Sequence, residues 1–148
     1  MLITKNRKAL FDHQLLQKFT AGLVLKGFEV KAIKENKANF EGSYVQVIDG
    51  EPFVVNMYVG KYSKQSRDFN ELEARRNRKI LLNKNEIDKL FKETSQKGKT
   101  AVPLALVLEN GRIKLEFAIV KGLKEYEKKH VAKEKQIQKD LLQYQSAL

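Results

Sequence analysis

Two dipeptides that favour tight turns constrain the fold of this chain more than any other sequence feature. Asn110-Gly111 lies between two apolar runs, and Asp49-Gly50 lies between two others. Both dipeptides tolerate the positive φ angles that a two-residue hairpin turn requires. The sequence therefore predicts two antiparallel β-hairpins, one over residues 43–59 and one over residues 101–120.

Alternation of apolar residues predicts which face of each hairpin is buried. In the first hairpin the predicted apolar row is Phe53, Val55, Met57 and Val59. In the second it is Leu104, Leu106, Leu108, Ile113, Leu115, Phe117 and Ile119, with Arg112, Lys114 and Glu116 on the opposite face. Pro103 predicts a strand edge or a bulge, because proline cannot donate to a strand ladder.

A helix is predicted between the hairpins, starting after Asn83 and ending near Gly98. Asn83 and Glu86 have the spacing of a capping box. Its predicted buried stripe is Ile87, Leu90 and Phe91. Two hairpins with a separate helix indicate a mainly β fold with helices (α+β), and we expect a closed antiparallel barrel like the OB-fold.

The charge of the chain favours an anionic partner. The 148 residues carry a net charge of +11, and residues 61–99 alone hold twelve basic and six acidic groups. Such a field favours nucleic acid or an anionic membrane. No apolar run is long enough to span a bilayer and no signal-peptide core is present, so we expect no membrane partner and a cytoplasmic protein. We also expect a monomer.

The composition changes after Gly122. We predict a barrel domain over residues 1–122 and a basic tail over residues 123–148. The tail has only a thin apolar stripe at helical spacing, formed by Ile137, Leu141, Tyr144 and Leu148. Such a segment buries too little apolar surface to offset its ordering entropy, so it is predicted to be disordered when free and helical when bound.

Catalytic and metal-binding patterns do not appear in the sequence. The chain has no cysteine, and its two histidines, His13 and His130, lie in unlike segments. No glycine-rich phosphate loop or metal-ligand spacing is present. We therefore expect no enzyme activity, no cofactor and no metal.

Aromatic and basic residues outside the hairpin cores are candidates for RNA contact. Single-stranded nucleic acid binds to cationic grooves with aromatic residues on which bases stack. The stacking candidates are Tyr58, Tyr62 and Tyr126. Two alternatives stay open: Tyr58 as a partly buried strand residue, and Leu81 as a core residue. Likewise Lys31, Lys34 and Lys37 share one face of a helical turn, which is also typical of an ordinary solvated face.

Residues 19–45 resemble the signature of the SsrA-binding protein family, also called small protein B. Three segments match that family in order and spacing: Glu29-Val30-Lys31, Lys37-Ala38-Asn39 and Ser43-Tyr44-Val45. Residues 76–82 resemble its Arg-x-Arg-Lys-Leu-Leu-Leu motif, with Ile80 for the first Leu. The resemblance extends from Asn6 to about Glu134.

The resemblance implies an OB-like RNA-binding protein of trans-translation, without catalytic activity or cofactor. It would bind the transfer-RNA-like part of transfer-messenger RNA and escort it to stalled ribosomes. The barrel would replace the missing anticodon arm, and the tail would lie in the empty messenger channel near the decoding centre. A general single-stranded RNA-binding OB module without a ribosomal role remains the alternative.

The resemblance and the charge pattern together give two sets of site residues. The predicted RNA-binding residues are Asn6, Arg7, Lys8, Lys31, Lys34, Lys37, Asn39, Arg76, Arg78, Lys79 and Leu81. The predicted ribosome-binding residues of the tail are Lys124, Tyr126, Lys128, Lys129 and Lys133. The chain departs from the family pattern at Phe11, His13, Thr20, Leu123, Glu127 and Lys129. Thr20 replaces an acid that the family associates with RNA binding.

Overall fold

The fold is described by a computed structural model, over residues 1–65 and 69–122. In that part of the chain the strands are β1 (Leu2–Lys5), β2 (His13–Leu23), β3 (Ala38–Asn39), β4 (Tyr44–Ile48), β5 (Glu51–Val55), β6 (Tyr58–Val59), β7 (Arg78–Leu81), β8 (Lys99–Glu109) and β9 (Arg112–Gly122). The helices there are α1 (Arg7–Asp12), α2 (Gly27–Lys34), α3 (Glu71–Ala74) and α4 (Lys84–Thr94). None of the helices in these ranges is long and apolar enough to cross a membrane.

Seven strands form one antiparallel sheet in the order β1-β8-β4-β5-β7-β2-β9, and β9 also pairs with β8. The pairings thus run in a ring from β8 through β4, β5, β7, β2 and β9 back to β8. The ring is thinnest between β4 and β8, where only Val45 and Ala101 pair. The predicted OB-like antiparallel fold with flanking helices is confirmed, but the barrel is not fully closed, because only this one residue pair links β4 to β8.

The second hairpin forms where the turn dipeptide predicts it. Asn110 and Gly111 have φ angles of 51° and 76°, and they join β8 to β9. The strand register shifts between Pro103 and Ala105, so the bulge predicted at the proline is present. The predicted row of leucines is wrong in one place, because the bulge moves Leu104 out of the main core. Leu104 packs in a second cluster, with Ala9, Val102, Ala118 and Val120.

The first hairpin is also present, but its predicted apolar row is wrong at Phe53 and Val55. Asp49 and Gly50 form the turn, with φ angles of 50° and 79°. In β5 the buried side chains are Pro52 and Val54, whereas the predicted Phe53 and Val55 are only half-buried. Asn56 then adopts a φ of 61°, which ends the strand and changes the phase of the alternation. Met57 and Val59 therefore enter the core although β5 buries the opposite set.

The capped helix α4 forms as predicted. Asn83 Oδ1 accepts a hydrogen bond from the Glu86 N–H at 2.9 Å, and Glu86 Oε1 accepts from the Asn83 N–H at 3.1 Å. Leu90 is fully buried, but Phe91 is 58% exposed, so the stripe is narrower than predicted. The helix also ends earlier than predicted, at Thr94.

Candidate nucleic-acid interface

One groove of about 520 Å³ brings together Asn39 and the N-terminal residues of the predicted RNA-binding set. We call it the Asn6 groove, and its walls are residues 4–9 and 39–43, with His13 and Val102. Sequence reasoning predicted Arg7, Lys8 and Asn39 as separate contacts, and here they lie around one cavity with their side chains exposed. The arrangement gives cationic and amide groups on a concave surface, which suits phosphate and sugar contacts.

Asn6 has a structural role in this groove. Its Oδ1 accepts from the Ala9 N–H at 3.2 Å, which caps α1, and its Nδ2 donates to the Pro103 carbonyl at 2.8 Å. Its own N–H donates to the Leu104 carbonyl at 2.7 Å. The side chain thus fixes the start of α1 against β8 and so positions Arg7 and Lys8. An RNA contact by Asn6 itself stays a prediction.

A second, more open groove of about 420 Å³ lies beside the first. We call it the Tyr58 groove; its lining residues are Asn36, Lys37, Ala38, Asn39, Tyr58, Gly60 and Lys61. Asn39 belongs to both grooves. Thr4 of the Asn6 groove donates a hydrogen bond to Asn36 Oδ1 at 3.2 Å, so the two grooves meet at the end of α2.

The three lysines predicted to share a helical face divide between two segments. Lys31 and Lys34 are exposed on α2, while Lys37 follows the helix and lines the Tyr58 groove. Lys31 Nζ lies 5.3 Å from the ring centroid of Tyr62, a cation–π distance. Lys37 Nζ donates to the Lys61 carbonyl at 3.1 Å and lies 3.3 Å from Glu35 Oε1.

Arg78 does not belong to the exposed surface, which corrects its predicted phosphate contact. Its side chain is fully buried. Its Nε donates to Glu29 Oε2 at 2.7 Å, and its Nη groups donate to the Met57 carbonyl at 2.6 Å and to the Ala74 carbonyl at 3.0 Å. A guanidinium with no exposed area cannot reach a phosphate. Arg78 instead joins α2, the residues before β6 and the end of α3.

Glu29 is the partner that makes this burial possible, and sequence reasoning missed it. Its carboxylate also accepts from the Lys26 N–H at 2.8 Å and from Arg76 Nε at 3.3 Å. Burial alone would raise the pKa of Glu29, but the hydrogen bonds from Arg76 and Lys26 and the charge of Arg78 outweigh it and leave the pKa lowered. Burial also lowers the pKa of Arg78, and Glu29 opposes that effect. Two sequence signals pointed to Glu29: its place in the family-like segment Glu29-Val30-Lys31, and its position three residues after Lys26, which is the spacing of the carboxylate in a capping box.

Stability should therefore fall at acid pH partly through Glu29. Because the folded-state pKa lies below the ordinary value of 4.5, the stabilisation is complete above that value and is lost as the pH falls through the lowered pKa. Glu35 and Glu93 also have lowered pKa values, so a variant is needed to isolate the buried group.

Urea unfolding of the wild type and Glu29→Gln at neutral pH and at successive values below 4.5 checks this. We expect the free energy of unfolding of Glu29→Gln to be lower at neutral pH and to change less on acidification. Parallel curves for the two proteins would contradict the prediction.

The remaining residues of the predicted basic motif are partly engaged within the protein. Arg76 is held by Glu29 and keeps 27% of its side chain exposed. Lys79 Nζ lies 3.4 Å from Glu51 Oε1. Leu81 is 56% exposed, which resolves the open alternative against a core role. It borders a third groove of about 540 Å³, which also contains Arg112 and Lys114.

The predicted tail lies outside the described residues. This applies to Lys124, Tyr126, Lys128, Lys129 and Lys133 and to the domain boundary after Gly122.

Within the described ranges, no group of three or more His, Cys, Asp or Glu side chains could hold a metal ion. His13 Nδ1 lies 3.1 Å from the Ala9 carbonyl at the end of α1.

Comparison with known proteins identifies the family. A family model described as "SmpB protein" matches residues 3–146. The chain belongs to the SmpB family. The resemblance inferred from residues 19–45 and 76–82 is thereby confirmed.

Members of the SmpB family match over nearly their whole length. The SsrA-binding protein of Clostridium acetobutylicum is 43% identical over 139 residues, covering 94% of this chain and 88% of that protein. The SsrA-binding protein of Streptomyces coelicolor is 42% identical over 135 residues, covering 91% and 84%. The names of these SmpB relatives describe binding and no reaction.

The fold also matches an SmpB chain of known structure. A chain from a solved structure described as "tmRNA-SmpB: a journey to the center of the bacterial ribosome" superposes with a TM-score of 0.70 at 36% identity. The match covers 84% of this chain and 87% of the other. The barrel described above is therefore the SmpB fold.

Proposed function

We propose that this protein binds transfer-messenger RNA and acts with it on the ribosome in trans-translation. The observation that carries the proposal is the match, at a TM-score of 0.70 and 36% identity, to an SmpB chain from a structure of transfer-messenger RNA with SmpB in the ribosome. The net charge of +11 suits an RNA partner. This role requires the protein to be in the cytoplasm, and it needs neither catalysis nor a cofactor.

The two adjoining grooves are the surface that we assign to RNA. Arg7 and Lys8 line the Asn6 groove, Lys37 lines the Tyr58 groove, and Asn39 lines both. Exposed cations on a concave surface release counterions when they meet phosphates, and this supplies much of the affinity for RNA. Lys31, Lys34 and Leu81 extend the proposed contact, and Arg78 supports it from inside.

The proposal also assigns different roles to the barrel and to the tail. The barrel would stand in for the missing anticodon arm of transfer-messenger RNA. Lys124, Tyr126, Lys128, Lys129 and Lys133 would contact the messenger channel and the decoding centre of the small subunit. The support for this part is the Lys-rich sequence after Gly122 and membership of the SmpB family.

The decisive experiment compares the affinity for transfer-messenger RNA with that for an unrelated RNA of equal length and charge, as a function of salt. We expect preference for transfer-messenger RNA. The variant Arg7→Ala/Lys8→Ala/Lys37→Ala should bind more weakly, with a salt slope lower by about one unit per lost phosphate contact.

A matched control removes three exposed lysines elsewhere, in Lys84→Ala/Lys89→Ala/Lys97→Ala. These lie on α4 and the turn after it, away from both grooves. The control should keep a slope closer to that of the wild type. Equal affinity of the wild type for both RNAs would refute the proposal and favour a general single-stranded RNA-binding module.

A further inference from the structure

Tyr58 and Arg75 form a cation–π pair at the edge of the Tyr58 groove. The guanidinium carbon of Arg75 lies 5.1 Å from the ring centroid of Tyr58. The pair is within cation–π range, and its two members come from separate segments, β6 and the residue that ends α3. Arg75 is exposed and Tyr58 is half-buried. The exposed guanidinium of Arg75 is therefore accessible to a ligand beside the groove.

The backbone around Tyr58 is held by strand pairing and by a backbone hydrogen bond, and this fixes the position of the ring. Tyr58 pairs with Asn39 in the small sheet formed by β3 and β6. The Gly60 N–H donates to the Lys37 carbonyl at 2.7 Å. A Cβ atom at Gly60 would lie 3.2 Å from that carbonyl oxygen and 3.4 Å from the Tyr58 ring, so any other residue would crowd the groove.

A second cation–π pair, formed by Lys31 and Tyr62, is less suited to stacking on a base. Tyr62 packs against the main core, and its partner Lys31 offers a point charge instead of a plane. Guanidinium planes and aromatic rings are the groups on which proteins stack unpaired RNA bases. The Tyr58–Arg75 pair is the better platform of the two.

We propose that the Tyr58–Arg75 pair stacks against one unpaired base of the bound RNA, while Lys37 and Lys61 in the same groove meet the flanking phosphates. The inference rests on the proposed function, because it names a contact within that RNA complex. The groove volume of about 420 Å³ and its cationic lining suit a nucleotide better than an apolar peptide side chain.

Affinity for transfer-messenger RNA tests the platform. Tyr58→Leu should bind about tenfold more weakly with an unchanged salt slope, because stacking is lost and no charge is removed. Tyr58→Phe keeps the ring and should bind like the wild type. Arg75→Lys keeps the charge but loses the plane, so it should bind nearly as weakly as Arg75→Ala. Lys92→Ala on α4 is the control for loss of one exposed charge.

Fluorescence gives a second readout, because the chain has no tryptophan. Tyr58→Trp places a single indole at the platform, and transfer-messenger RNA should quench its emission. A fully paired RNA duplex should not, because its bases already stack on one another. Quenching by the duplex, or wild-type binding by both Arg75→Lys and a folded Tyr58→Leu, would overturn the platform.

Failure of the stacking proposal can be distinguished from failure of the proposed function. If the wild type prefers transfer-messenger RNA and the platform variants bind as it does, only the platform is wrong. If the wild type shows no preference, the proposed function is wrong, whatever the indole reports.

Discussion

Arg78→Ala is expected to lower the free energy of unfolding by about 3–5 kcal/mol, the range for breaking one side of a buried ion pair. The side chain is fully buried and bonded to Glu29 and to the carbonyl groups of Met57 and Ala74. Its removal takes this donor from the carbonyl groups of Met57 and Ala74, leaves Glu29 with Arg76 as its cationic partner, and leaves a cavity among α2, α3 and β7. Each unsatisfied buried group adds to the cost.

Urea unfolding measures this effect, and Arg76→Ala is its matched control. Arg76 binds the same carboxylate but is 27% exposed, so its loss leaves Glu29 bonded to Arg78 and near solvent. We expect a clearly smaller destabilisation for Arg76→Ala. A loss below about 1 kcal/mol for Arg78→Ala, the usual value for surface pairs, would contradict the buried network.

A double variant separates charge from packing. Arg78→Met alone leaves a buried carboxylate with only Arg76 as its cationic partner, whereas Glu29→Gln/Arg78→Met removes both charges. Replacing a whole buried pair by uncharged residues is often nearly neutral, so the double variant should be more stable than Arg78→Met. Equal stability of the two would show that lost packing, and not the weakened pairing of the Glu29 carboxylate, dominates.

Local signals predicted the features of this fold that depend on a few neighbouring residues. The turns at Asp49-Gly50 and Asn110-Gly111 and the cap at Asn83 are set by residues adjacent in sequence, and all three are present. Which residues of each strand face the core was harder to predict from the local sequence. A bulge moves Leu104 out of the main core, and the positive φ of Asn56 changes the phase after β5. Such shifts depend on pairing with distant strands.

The candidate site shows the same division between residue type and position. Sequence reasoning selected Arg7, Lys8 and Asn39, but only the fold places them around one groove. It treated Arg78 as an exposed cation because nothing local marks it as buried. Its partner Glu29 is 49 residues away in the chain. A charged side chain is rarely buried unless an oppositely charged partner lies beside it. Here the tertiary fold brings that partner close, so the local sequence does not reveal it.

Truncation after Gly122 should separate RNA binding from ribosomal function. Strand β9 ends at Gly122, and its pairing with β2 extends to the pair of His13 with Gly122. The removed segment carries six lysines and four acidic residues, so the barrel keeps most of the net positive charge. Affinity for isolated transfer-messenger RNA should therefore stay within a few-fold of that of the intact protein.

Tagging of peptides on stalled ribosomes should nevertheless fail in the truncated protein. A lysine-rich segment can order along ribosomal RNA because released counterions offset part of its ordering entropy. In the proposed function, Tyr126 would add a base contact and Lys128, Lys129 and Lys133 would meet phosphates. The matched variant Lys128→Ala/Lys129→Ala/Lys133→Ala keeps the chain length, so a tagging defect in it would assign the effect to charge. If the truncated protein still supports tagging, or loses RNA affinity a hundredfold, the assignment of RNA binding to the barrel and of ribosomal function to the tail is wrong.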